Sequence, residues 1–119
     1  MSRVRVLRDD GPALDLVDGD GSARAILWPG VGARLRAMHR IVLQPGARTR
    51  EQRHPGDAVY TVLAGGGVVS DGGGAAQSLR TGSMFHVDAG TAYVVVAGPS
   101  GVELLGGPAP VDDALYEGL

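Results

Sequence analysis

Cysteine, lysine and asparagine are all missing from the 119 residues. Without cysteine there is no disulfide, no thiolate ligand and no thiol nucleophile. Without lysine no Schiff base to a carbonyl can form. Without asparagine there is no acceptor for N-glycosylation. The joint loss of lysine and asparagine fits codon bias in a GC-rich genome. A basic excess is missing too: 11 Lys+Arg against 13 Asp+Glu give a formal charge of −2. That balance argues against a nucleic-acid partner. No apolar run approaches the ~20 residues of a membrane span, and the start does not read as a signal peptide. The expectation is a soluble cytoplasmic chain with no membrane partner. The length is that of one domain, residues 1–119, burying about two-thirds of its unfolded surface.

What is present is glycine and short apolar runs. Twenty glycines and seven prolines punctuate the chain without forming a linker. The runs are Val4–Leu7, Leu14–Val17, Ala23–Trp28, Leu35–Leu43, Ala58–Leu63, Gly67–Val69, Met84–Val87, Ala92–Ala97 and Val102–Leu105. Turn signals separate them at Gly19-Asp20-Gly21, Trp28-Pro29-Gly30, Gln44-Pro45-Gly46, Asp71-Gly72-Gly73-Gly74 and Gly98-Pro99-Ser100-Gly101. Evenly spaced short strands with such turns predict an all-β sandwich or barrel. From Ala33 to Leu43 the pattern alternates. Leu35, Ala37, His39, Ile41 and Leu43 share the inward face, and three arginines mark the other as solvent-facing. Helix signals are weak; the best is the tail Val111–Tyr116, where Asp112-Asp113 would cap one turn.

Two segments carry a resemblance. Gly46 is followed after five residues by Gln52-Arg53-His54, then after three by Ala58 and after six by Gly65. Gly82 is followed after five residues by Asp88-Ala89-Gly90 and after two more by Tyr93. These stretches, about 46–65 and 82–93, resemble the first and second signatures of the cupin superfamily. The first reads Gly, five residues, His-x-His, three or four residues, Glu, six residues, Gly; the second reads Gly, five residues, Pro-x-Gly, two residues, His. The resemblance implies a double-stranded β-helix, a small single-domain cupin barrel, and a homodimer in which N-terminal strands often pair across subunits.

The resemblance also implies a divalent metal on two His and a Glu from the first signature and a His from the second. Here those positions hold Gln52, His54, Ala58 and Tyr93. One imidazole, a neutral amide, a methyl and a phenol of ordinary pKa ~10 do not make that site. The ordinary site is degenerate and no cofactor is expected. The alternative is a non-standard set, His39, His54 and His86, converging on Zn, Ni, Fe or Mn. Asp57 is one residue out of phase to replace the absent Glu.

A metal-free barrel interior predicts a pocket for a small organic ligand. By signature position Gln52, His54 and Tyr93 line it, with Tyr60, His39 and His86 as additions and Trp28 at the mouth or packing the barrel end. His54 is the candidate acid/base, near its reference pKa of ~6.5, and Tyr93 the candidate hydrogen-bond donor to an oxyanion. That set suits an isomerase or cyclase moving a proton beside a carbonyl. The alternatives are a non-catalytic small-ligand or sensor cupin and a metal-dependent enzyme on the non-standard His set. Asp9, Asp10, Asp18, Asp20, Asp71, Asp112 and Asp113 fall in turns or near the ends and read as solvated. Arg48, Arg50 and Arg53 read as a solvated rim, and Gly72–Gly74 as a hairpin tip rather than a phosphate loop.

Overall fold

The computed structural model describes residues 3–119. Eight strands follow one another: β1 (Val17–Asp18), β2 (Gly21–Leu27), β3 (Met38–Leu43), β4 (Arg48–Thr49), β5 (Asp57–Asp71), β6 (Ala76–Arg80), β7 (Met84–Val87) and β8 (Tyr93–Ala109). Two short 3-10 turns, Pro29–Val31 and Asp113–Tyr116, are the helical elements among the described residues. Alternation dictates the faces. β3 buries His39, Ile41 and Leu43 and leaves Met38, Arg40 and Val42 partly exposed, as a half-buried strand requires.

The two long strands organise the molecule. The first half of β5 pairs antiparallel with the second half of β8, from Asp57↔Ala109 to Gly65↔Val102. β7 lies outside β5 on this layer, and β3 then β2 lie outside β8. The remaining halves pair from Gly67↔Ala97 to Asp71↔Tyr93, flanked by β6 on one side and by β4 then β1 on the other. The two layers face each other across one core in which Tyr60, Val62 and Leu104 meet Leu79, Val95 and Ala97. This is a double-stranded β-helix.

Glycine makes the passage between layers. Gly65 and Gly101 stand where both long strands turn from one layer to the other, at φ of 75° and 73°. A Cβ at Gly65 would run into the carbonyl oxygen of Gly101. The turn expected at Gly98–Gly101 is therefore a bend inside β8, because a residue free to adopt positive φ redirects a strand as readily as it ends one. Gly106 serves close approach: a Cβ there would strike Tyr60 and the carbonyl of Val59. Its bareness lets Tyr60 and His39 flank it on adjacent strands.

Three expectations change. Val4–Leu7 forms no strand, and of Leu14–Val17 only Val17 enters one. Leu35 lies before β3 and is 85% exposed rather than inward. The phase holds from Ala37 onward, where hydrogen bonding to β8 begins with Ala37 N–H donating to Pro108 O.

Candidate functional site

His54 stands between β4 and β5, and its backbone carbonyl accepts from Gly90 N–H of the second signature. Gln52 and Tyr93 exchange both backbone hydrogen bonds at 2.9 Å. The two signatures are thereby clamped together, and Tyr93 is laid over His54. His54 Nε2 lies 2.9 Å from the Tyr93 hydroxyl, and His54 Nδ1 lies 2.8 Å from Asp112 Oδ2. The His54 side chain is 2% exposed.

Chemistry fixes the direction of these bonds. A carboxylate only accepts, so Nδ1–H of His54 donates to Asp112. Nε2 is then the lone-pair nitrogen and accepts from the Tyr93 hydroxyl. Burial, reinforced by neighbouring Tyr60 and Asp112, pushes the Tyr93 phenol up and keeps its proton on. Burial likewise pushes Tyr60 up to about 12, against a smaller lowering by the neighbouring Tyr93 hydroxyl. Asp112 does double duty: its Oδ1 accepts from Ala114 N–H and caps the turn Asp113–Tyr116.

Asp112 corrects the sequence reading most sharply. It was expected to be solvated, yet it is buried and paired with His54. The sequence signal was half there, since Asp112-Asp113 reads as a cap. Nothing local says which of two adjacent aspartates turns inward. Asp113 points outward, 4.0 Å from Arg34.

A second buried pair lies beside the first. His39 Nε2 is 2.6 Å from the Tyr116 hydroxyl, and the ring of Tyr116 packs 5.5 Å from Trp28. Burial pushes His39 down to about 4, and a proton placed on neighbouring His54 would lower it further, so His39 stays neutral. Burial also pushes Tyr116 up, so an intact phenol and a neutral imidazole share this hydrogen bond, its direction set by the His39 tautomer. His39 Nδ1 is the one buried side-chain polar atom among the described residues without a partner.

A cavity of about 340 Å³ opens where β6 and β7 part. Phe85, Val87, Val69 and Tyr93 form its apolar lining; Gln77, Thr91, Asp71, His86 and Asp88 add polar groups. Of the residues expected to line a pocket, Tyr93 and His86 do. Gln52, His54, Tyr60, His39 and Trp28 do not, because the deep interior is filled: His54 is enclosed behind Tyr93, Tyr60 stacks on Phe85 at 5.3 Å, and His39 is capped by Tyr116. Trp28 packs the barrel end. Gln52 reaches only the Arg50 carbonyl, at 3.5 Å.

The three histidines do not converge. His86 lies on the rim, half exposed, with Nε2 3.4 Å from Asp57 and Nδ1 3.5 Å from Asp88. β7 alternates with Phe85 inward, so His86 takes the outer face. The non-standard His39–His54–His86 set is thus ruled out. The signature positions do not fit a divalent metal either: both ring nitrogens of His54 are engaged, Ala58 has no donor atom, and Tyr93 is held as a phenol. Asp57, His86 and Asp88 do keep their donor atoms within 4.8 Å of one another. Their carboxylates approach opposite nitrogens of one ring, whereas a single ion takes one.

Relatives are recognisable in sequence pattern and in shape. Residues 39–104 match the family model for the cupin domain. A cupin-like protein of Thermotoga maritima superimposes with a TM-score of 0.71 at 21% identity, over 94% of this chain and 96% of its own. A Thermotoga maritima protein described as a predicted oxalate decarboxylase gives 0.71 at 20% identity, over 90% of this chain and 100% of its own. A Klebsiella pneumoniae protein with a double-stranded β-helix domain gives 0.70 at 19%, over 92% and 91%. No curated protein matches the sequence. At these identities the solved structures speak for the fold alone, and the family model for the membership: the chain belongs to the cupin domain family.

Proposed function

We propose that this cupin binds a small carbonyl compound in the cavity between β6 and β7 and moves a proton on it by way of Tyr93. The supporting observation is the buried series Asp112–His54–Tyr93, whose last member lines that cavity. The arrangement has the logic of an acid–histidine–hydroxyl triad. Tyr93 takes a proton from the carbon beside the carbonyl as its own proton passes to His54 Nε2. The imidazolium so formed is balanced by the Asp112 carboxylate. Return of the proton to a different carbon or to oxygen completes an isomerisation, with every group restored. The cavity is at the lower end of the ~300–1,000 Å³ of small-molecule sites. Asp71 and Asp88 at its lining disfavour an anionic ligand and favour a neutral one.

The test is solvent exchange. A panel of small neutral ketones and α-hydroxy ketones is screened by thermal shift. Binders are then followed by NMR in D₂O for deuterium entering beside the carbonyl. The reading expects exchange that Tyr93→Phe abolishes. Binding without exchange in the unaltered protein assigns a non-catalytic ligand-binding cupin instead, and no binder in the panel overturns both. A homodimer and a cytoplasmic setting belong to the same proposal. The exposed Val4 and Val6 support self-association, which light scattering checks.

A further inference from the structure

The segment from Val111 onward pairs with no strand. Outside its own turn its fixed points are few. Val111 N–H donates to the Arg34 carbonyl at 3.2 Å, and Asp113 meets Arg34 at 4.0 Å on the surface. What holds it otherwise is three side chains: Asp112 on His54, Tyr116 on His39 with its ring against Trp28, and Leu115, partly buried against the core. A segment held by so few anchors opens at lower free energy than the sheet beneath it.

The surface under the segment is built to receive specific groups. His54 Nδ1–H takes a carboxylate. His39, neutral, hydrogen-bonds a phenolic hydroxyl through Nε2. Trp28 takes the ring that carries it. Of the four imidazole nitrogens here, His39 Nδ1 has no partner, so the segment leaves part of the hydrogen-bonding capacity unused.

We propose that the barrel end formed by His39, His54 and Trp28 is a binding site for a small aromatic hydroxy acid, and that Asp112 and Tyr116 fill it as an internal occupant. The site lies outside the lining of the cavity between β6 and β7 and requires no turnover there, but it shares His54 and Asp112 with the buried series, so a ligand that displaces Asp112 takes that series apart. Because the occupant is part of the chain, an external ligand binds only the fraction of molecules in which the segment is released, and its apparent affinity is reduced accordingly.

The single tryptophan reports on the event directly. 4-Hydroxyphenylacetate is titrated into the full chain and into Tyr116→Ala, with Trp28 emission and calorimetry as readouts. The expected result is binding about tenfold tighter or more in Tyr116→Ala than in the unaltered chain. In the Tyr116→Ala background, His39→Ala loses that binding, whereas Gln77→Ala, in the lining of the ketone cavity, retains it; failure here is thereby separated from failure at the ketone cavity. Phenylacetate, lacking the hydroxyl, and 4-ethylphenol, lacking the carboxylate, bind about tenfold more weakly or worse. Equal affinity in both proteins, or indifference to the hydroxyl and the carboxylate, overturns the proposal. Should Tyr116→Ala not fold, the unaltered chain decides. Saturating 4-hydroxyphenylacetate must then shift Trp28 emission and speed chymotryptic cleavage at Tyr116, and a probe that does neither overturns the proposal.

Discussion

His54 and His86 are each held between two oxygen-bearing partners, one on each ring nitrogen. For His54 the partners lie at 2.8 and 2.9 Å with 2% of the side chain exposed; for His86 they lie at 3.4 and 3.5 Å with 51% exposed. The comparison separates chemical identity from environment. His86 has two carboxylates and more formal charge around it, but water screens each contact and each pair contributes little. His54 has one carboxylate and one phenol, but neither has water to fall back on. In the interior a missing partner is expensive, and that expense makes the buried series a defined unit rather than a chance proximity.

The largest effect that sharpens this contrast is His54→Ala. It leaves the Asp112 carboxylate and the Tyr93 hydroxyl buried without their partner, and urea unfolding should show a loss of about 3–4 kcal/mol. Next comes pH. The unfolded chain protonates His39 below about 6.5 and the folded one only below about 4. Between those values the unfolded state binds more protons. Stability is therefore full above pH 6.5 and falls as pH drops towards 4, by up to about 3 kcal/mol. His54 and Tyr116 are the polar groups facing His39. His39→Leu should remove that part of the slope, checked by unfolding curves at pH 7.5 and 4.5.

Smaller effects test the same contrast from its edges. Tyr93→Phe removes one buried hydrogen bond while keeping the ring, for about 1 kcal/mol on the same measurement. His86→Ala should change stability by less than about 0.5 kcal/mol. A loss as large as that of His54→Ala would dissolve the distinction between the two sites.

The architecture was largely legible. Glycine spacing in two signatures, with alternation in β3 and the Tyr-Thr-Val-Leu run of β5, is a local pattern, and local patterns survive in a sequence. The length of β5 and β8 was not legible, because Gly65 and Gly98–Gly101 look alike whether a strand ends or bends. Of the candidate site, the signature positions point to His54 and Tyr93, which the fold brings within 2.9 Å of each other. Asp112 and Tyr116 were missed because their partners, His54 and His39, are distant along the chain, and a tail with two aspartates and a tyrosine has the composition of a solvated end. Gln52, at a ligand position, proved to act through its backbone pairing with Tyr93 rather than through its amide.

The glycine corner at Gly65 and Gly101 has a kinetic meaning. β5 and β8 pair antiparallel through both layers, with the register shifting at the corner between Gly65↔Val102 and Gly67↔Ala97, and the strands β6 and β7 lie along the chain between the two arms of this ladder. The ladder's near end, Asp71↔Tyr93, brings together residues much closer along the chain than its far end, Asp57↔Ala109. Zipping from the near end must pass the corner before the first layer exists. Refolding on the millisecond-to-second scale of non-local β topologies is expected. Replacing Gly65 with alanine should slow it, since the obstruction lies midway along the route and not at its end.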